Sequence, residues 1–132
     1  MKVEKFRGKT EEEIKNISID EFLNMVSAGA RRNLKRMNLN FRYKKLVDKV
    51  RKLKSKGGIK KPIKTHLRDA VIIPEWLGIK FLVHNGKDWK PVEITMNKLG
   101  RRLGDFSHTT GKVIHSGPGV GATRGSKFVP LK

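Results

Sequence analysis

Ile79-Lys80-Phe81-Leu82-Val83-His84-Asn85-Gly86-Lys87-Asp88-Trp89-Lys90-Pro91-Val92-Glu93-Ile94-Thr95 is the stretch whose reading decides the fold. Ile79–His84 and Lys87–Thr95 flank Asn85-Gly86, the strongest short-range hairpin signal, because a type I′ turn needs positive φ at both central residues. Alternation agrees: Val92 and Ile94 share one face and Glu93 takes the other. Working outward, Ala70-Val71-Ile72-Ile73 is short and β-prone, and Pro62 and Pro74 break any helix around it. It reads as a buried extended segment. On the other side, Met96 to about Leu103 reads as a short helix with Thr95 as its cap, limited by Gly100 and Gly104.

The N-terminal half has helical periodicity instead. Thr10-Glu11-Glu12-Glu13 and Ser18-Ile19-Asp20-Glu21 match the capping box, in which hydroxyl and carboxylate each satisfy an orphan amide. The second leads into Phe22, Leu23 and Val26 at helical spacing, with Gly29 as the stop. A longer helix starts near Asn40 and runs to about Ser55, with Tyr43, Leu46, Val47, Val50 and Leu53 on one face and Lys and Arg on the rest. Gly57-Gly58 ends it.

The 132 residues suit one domain, and 31 Lys+Arg against 12 Asp+Glu give a formal net charge of +19. That excess is local. Residues 1–30 hold 5 basic and 6 acidic side chains, whereas residues 31–64 hold 15 basic and one acidic, Asp48. Residues 65–106 hold 7 and 5, and residues 107–132 hold 4 and none. The distribution reads as a near-neutral folded piece with a strongly cationic arm and an acid-free, Gly-rich tail that cannot form a core of its own. With 36% hydrophobic residues, a core is expected that does not engage the whole chain.

Several functions fall on residue types alone. There are no cysteines, hence no disulfides, no thiolate metal site and no cysteine nucleophile. The longest apolar run, Ala70–Ile73, is far short of the ~18 residues of a spanning helix, and Met1–Arg7 lacks the apolar core of a secretory signal. His66, His84, His108 and His115 show no i, i+4 pair, and read as surface histidines without metal or cofactor. Asp105, Ser107 and His108 are the residue types of a hydrolytic triad, but no nucleophile-elbow pattern surrounds Ser107. Gly117-Pro118-Gly119-Val120-Gly121-Ala122 fits a loose dinucleotide pattern without the acidic residue ~20 positions on that such a site requires. No catalysis is expected.

The cationic arm is the informative feature. Arg31-Arg32-Asn33-Leu34-Lys35-Arg36 and Lys60-Lys61-Pro62-Ile63-Lys64 bracket the Lys-rich helix, and one acid among fifteen bases cannot neutralise it internally. Such a surface suits phosphates, whose condensed counterions it releases. A basic membrane-surface helix would need a wide apolar face with Trp, Phe or Leu, and this face is narrow. A chromatin-like DNA-binding protein is the alternative, although zinc-finger and leucine-zipper spacings are missing. A folded piece with long basic extensions suits folded RNA better, because extensions thread between helices and order as they bind.

Asn85-Gly86-Lys87, Ile94, Leu99-Gly100, Leu103-Gly104-Asp105-Phe106 and Thr109, in that spacing, resemble the motif of the small-subunit ribosomal protein family numbered nineteen. Lys61–Asp69, Ile73-Pro74-Glu75 and the closing Gly121–Lys132 are similar to its archaeal and eukaryotic branch, whose eukaryotic members are called protein fifteen. Phe6–Thr10 and Arg31–Arg36 resemble that branch's N-terminal extension. Arg101 stands where the family leads one to expect His, and Leu67 where Cys is common.

The resemblance implies an α+β fold: a small three-stranded sheet with short helices, a helical basic N-terminal extension (1–58), a globular core (59–110) and an extended tail (111–132). It implies a structural protein of the small-subunit head, in the cytoplasmic ribosome, bound to the 3′ domain of small-subunit ribosomal RNA. The protein numbered thirteen would be its neighbour, and the tail would reach toward the A-site transfer RNA. Carried onto this chain, the expected RNA contacts are Lys61, Lys64 and Arg68 before the sheet, and His84, Asn85, Gly86 and Lys87 at the hairpin. Arg101, Arg102, Arg124 and Lys127 are further ones, and the cationic arm adds Arg31, Arg32, Lys35, Arg36 and Lys60. Gly104-Asp105-Phe106 is read as fold-specifying.

Overall fold

The computed structural model describes residues 2–113. Four α-helices precede a small mixed sheet: α1 (Glu11–Lys15), α2 (Ile19–Met25), α3 (Ala28–Lys35), α4 (Phe41–Ser55), then β1 (Ile63–Thr65), β2 (Lys80–His84) and β3 (Trp89–Glu93). The sheet order is β1-β2-β3, with β1 parallel to β2 and β3 antiparallel to it. This is the expected α+β architecture. A parallel pair needs a long crossover, which residues 66–79 supply.

One apolar cluster unites the two halves of the chain. Ile14, Phe22, Ala30 and Leu34 join Tyr43, Val47 and Val50 of α4, the sheet residues Ile63, Phe81, Val83 and Val92, and the segment Ala70–Ile73. The strongly charged helix is thus fixed to the core by the Tyr43, Leu46, Val47, Val50 stripe, and Asn40 caps it by accepting the Tyr43 N–H at 3.3 Å. What reads in sequence as a cationic arm is a docked helix. Tyr43 is fully buried, its hydroxyl donates to the Val71 carbonyl at 2.8 Å, and burial pushes its phenol far above the ordinary range. Tyr43→Phe leaves that carbonyl unpaired and is expected to cost about 1–2 kcal/mol, read from urea denaturation.

Several local features differ from the sequence expectation. The hairpin spans four loop residues rather than two, because the last strand pair is His84 with Trp89. Asn85 Oδ1 accepts the N–H groups of Lys87 at 3.0 Å and Asp88 at 2.6 Å, a side-chain turn that displaces the type I′ geometry. Of the two central residues, only Gly86 has positive φ (+99°). A two-residue turn with positive φ at both positions occurs instead at Arg7 (+51°) and Gly8 (+84°), where Phe6 and Lys9 exchange backbone hydrogen bonds at 3.0 Å.

Residues 96–103 are not one helix. Two 3-10 turns, Met96–Lys98 and Leu103–Phe106, flank an extended stretch. There Gly100 N–H donates to Ile72, Ile72 N–H to Arg101, and Leu103 N–H to Ala70, so Ala70–Ile73 is extended and buried as expected and recruits these backbone groups away from a helix. Gly100 has φ +75°, and a Cβ there would lie 2.9 Å from Val26 Cγ1. Gly29 is not a stop either: α2 ends at Met25, Ser27 accepts the Ala30 N–H at 3.4 Å, and Gly29 lies inside α3. Of the two expected capping boxes, the one at Thr10 and Glu13 forms and the one at Ser18 and Glu21 forms half. Glu13 accepts the Thr10 N–H at 2.7 Å, and Ser18 accepts the Glu21 N–H at 3.3 Å.

Candidate nucleic-acid interface

Burying the apolar stripe of α4 forces its other residues outward. Lys44, Lys45, Asp48, Lys49, Lys52 and Lys56 are exposed and line a groove with Phe41 and the half-buried Leu53. Among the described residues, three ion pairs form: Lys9–Glu21 at 3.7 Å, Lys15–Glu11 at 2.7 Å and Arg51–Glu75 at 3.0 Å. Only Arg51 of the cations between 31 and 64 is therefore matched by a carboxylate. Its guanidinium grips Glu75 with two hydrogen bonds of 3.0 Å, which hold it above the ordinary arginine range. Lys54 donates to the Glu75 carbonyl, and partial burial pulls its ammonium below the ordinary lysine value.

The Arg31–Arg36 run divides by direction. Arg31 turns back onto α2, donating to the carbonyls of Leu23 at 2.8 Å and Val26 at 3.4 Å. It satisfies the end of that helix. Arg32, Lys35 and Arg36 are exposed, and Arg32 and Arg36 share a groove with Arg42 and Arg102 around Leu39 and Phe41. The fold thus joins the early basic run to Arg102, far away in sequence. Arg101 and Arg102 are both exposed. Leu39 (85% exposed) and Phe41 (75%) are apolar side chains standing among these arginines, which composition alone does not reveal.

Around the sheet, Lys60, Lys61, Lys64 and Lys87 are exposed, and Lys64 lies on the outer face. Arg68 is different. Its guanidinium donates to the carbonyls of His84 at 2.7 Å, Gly104 at 2.9 Å and Ser107, tying β2 to the 103–106 turn. Its own carbonyl accepts the Gly104 N–H at 2.8 Å. A Cβ on Gly104 would sit 2.9 Å from that oxygen, so the position excludes a side chain. Asp105 accepts the Arg102 N–H at 3.1 Å, in keeping with a fold-specifying role for this motif. At the hairpin, His84 Nδ1 accepts the Gly86 N–H at 3.0 Å, and Asn85 Nδ2 donates to the His108 carbonyl at 3.3 Å. These groups hold the loop, while Lys87 projects from it.

The triad residue types do not assemble. Ser107 is fully buried and its hydroxyl donates to the Val83 carbonyl at 3.2 Å, so it is no nucleophile. Among the described residues, His, Asp and Glu form no group of three that could hold a metal, and no helix is long and apolar enough to cross a membrane. Arg124, Lys127 and the Gly117–Ala122 pattern lie outside the described residues.

A surface of this kind, with exposed cations on a firm support and few carboxylates, is matched by what the chain is similar to. The family model described as Ribosomal protein S19 matches residues 32–115. The Small ribosomal subunit protein uS19 of Saccharolobus solfataricus is 42% identical over 128 residues, covering 97% of this chain and 91% of that protein. The resemblance first carried by the hairpin and the Leu103–Phe106 motif therefore extends along nearly the whole sequence, and the chain belongs to the S19 family of small-subunit ribosomal proteins.

Proposed function

We propose that this protein binds small-subunit ribosomal RNA in the head of the subunit and serves translation as a structural component, without catalysis. The observation that carries the reading is the cationic surface of α3 and α4, held rigid by the core and matched by a carboxylate only at Arg51 among the described residues. Charge held this way favours a polyanion of defined shape, because little ordering entropy is lost when phosphates dock. The S19 membership supports the ribosomal identity of that polyanion.

In this reading the parts divide the work. Residues 1–58 present the helical basic surface, residues 59–110 form the unit that sets the hairpin against RNA, and residues 111–132 extend toward the A-site transfer RNA. Lys60, Lys61, Lys64, Lys87, Arg101 and Arg102, with Arg32, Lys35 and Arg36, meet phosphates. Arg124 and Lys127 do so from the tail. Arg31 and Arg68 serve the fold, and His84, Asn85 and Gly86 shape the loop that carries Lys87. The 3′ domain of the RNA and the protein numbered thirteen are the neighbours, in the cytoplasmic ribosome.

The test is co-sedimentation. The protein should travel with small subunits and leave in a high-salt wash, and structured head-domain RNA should compete better than duplex DNA. Preference for the duplex would favour the chromatin-like alternative and end the ribosomal reading.

A further inference from the structure

The outer face of the sheet carries an arrangement that the phosphate contacts leave unexplained. Pairing of His84 with Trp89 puts both rings on the side away from Phe81, Val83 and Val92, and His66, just after β1, joins them. The imidazoles of His66 and His84 lie 4.5 Å apart and are tilted by 37°. Trp89 meets both edge-on, at 4.8 Å from His66 and 4.9 Å from His84. Lys64 Nζ lies 5.6 Å from the centre of the Trp89 ring. His66 is exposed, and His84 and Trp89 are half-exposed. Three rings gathered on an open face bury less apolar surface than the same rings would in a core, so packing alone accounts poorly for them.

The surroundings say what fits. His66 also lines a groove with Arg42, Lys45, Arg68 and the carboxylate Asp69, three cations to one acid, which leads from the cluster to the basic face of α4. Lys64 stands beside Trp89. An aromatic surface edged by cations matches the repeat of a single-stranded nucleotide chain, in which a base alternates with a charged phosphate. Glu93 lies at the far end of β3, paired with Lys80, and Asp88 lies in the hairpin loop, while Asp69 lines the groove beside His66 and is outnumbered there by Arg42, Lys45 and Arg68.

We propose that His66, His84 and Trp89 form a stacking site for an unpaired base of the bound RNA. The base lies on the open side of His66, Trp89 forms the side wall, and the flanking phosphates meet Lys64 beside Trp89 and Arg42 and Lys45 along the groove. This rests on the RNA-binding reading above and adds a contact that is apolar and largely indifferent to salt.

The experiment titrates the full chain with head-domain RNA while following tryptophan emission, in the wild type and in Trp89→Phe. Trp76, fully buried in the core, supplies the constant background. The expected result is quenching of the component that Trp89→Phe removes. The double variant His66→Ala with Trp89→Ala should lose affinity by about tenfold or more with an unchanged salt slope, while Trp89→Phe retains most of it. The variants' melting curves without RNA check that they fold. RNA binding with no change in Trp89 emission, or full affinity in the double variant, overturns the stacking site and leaves the phosphate contacts standing. A wild type that binds no head-domain RNA overturns both.

Discussion

Arg68→Ala is expected to lower the stability of the RNA-free protein by about 3 kcal/mol, and its melting temperature by about 10 °C or more. The residue was expected among the RNA contacts, yet its guanidinium is committed inside the molecule, donating to the carbonyls of His84, Gly104 and Ser107. Charge-assisted hydrogen bonds contribute about 1.5–3 kcal/mol each, and removing the donor strands three acceptors at once. The contributions do not add, because the acceptors share one donor group and relax together. Arg68→Lys should recover only part of the loss, since an ammonium cannot spread over three carbonyls as the planar fork does. Gly104→Ala attacks the same tie from the other side. Its Cβ would be 2.9 Å from the Arg68 carbonyl oxygen and 3.0 Å from Arg68 Cβ, and backbone atoms there have little room to yield. Urea denaturation without RNA decides it. Unchanged stability with weakened RNA binding would return Arg68 to the interface.

Arg68 also marks the limit of what the sequence makes legible. Periodicity was sufficient where burial repeats along one element: the α4 stripe and the alternation of Val92 and Ile94 both hold. It was insufficient where two groups compete for one backbone donor. Asn85-Gly86 signals a tight turn, but the Asn85 side chain captures the amides of Lys87 and Asp88 and stretches the loop to four residues. Residues 96–103 have local helical character, but Ala70–Ile73 offers them hydrogen bonds from outside the window. The same blindness applies to charge. Arg31 and Arg32 are neighbours of equal type, and only the folded backbone sends one to the Leu23 carbonyl and the other to solvent. The His66–His84–Trp89 cluster is a third instance, since strand register, not spacing, brings its members together.

What composition did convey, the density of unmatched cations, leads to the second large effect. Affinity for head-domain RNA is expected to fall about a thousandfold or more between 50 and 200 mM salt, the behaviour of ~6–10 phosphate contacts. Lys45, Lys49 and Lys52 are exposed on α4 and make no ion pair. Changing all three to Gln should reduce the log–log slope by about two units and weaken binding at low salt, since each contact contributes ~0.7–0.9 to that slope. The same change should leave the free protein as stable as before, or slightly more so, because it removes like-charge repulsion and no bonded partner. Arg51→Gln on the same helix is the internal control. Arg51 is already neutralised by Glu75 at 3.0 Å, so its loss should leave the slope unchanged and cost the fold under about 1 kcal/mol, as partly exposed pairs do. Equal slopes in the triple variant and the wild type would mean that the Lys face of α4 does not meet phosphate. The interface would then have to be carried by Arg32, Arg36, Arg42 and Arg102 around Leu39 and Phe41 instead.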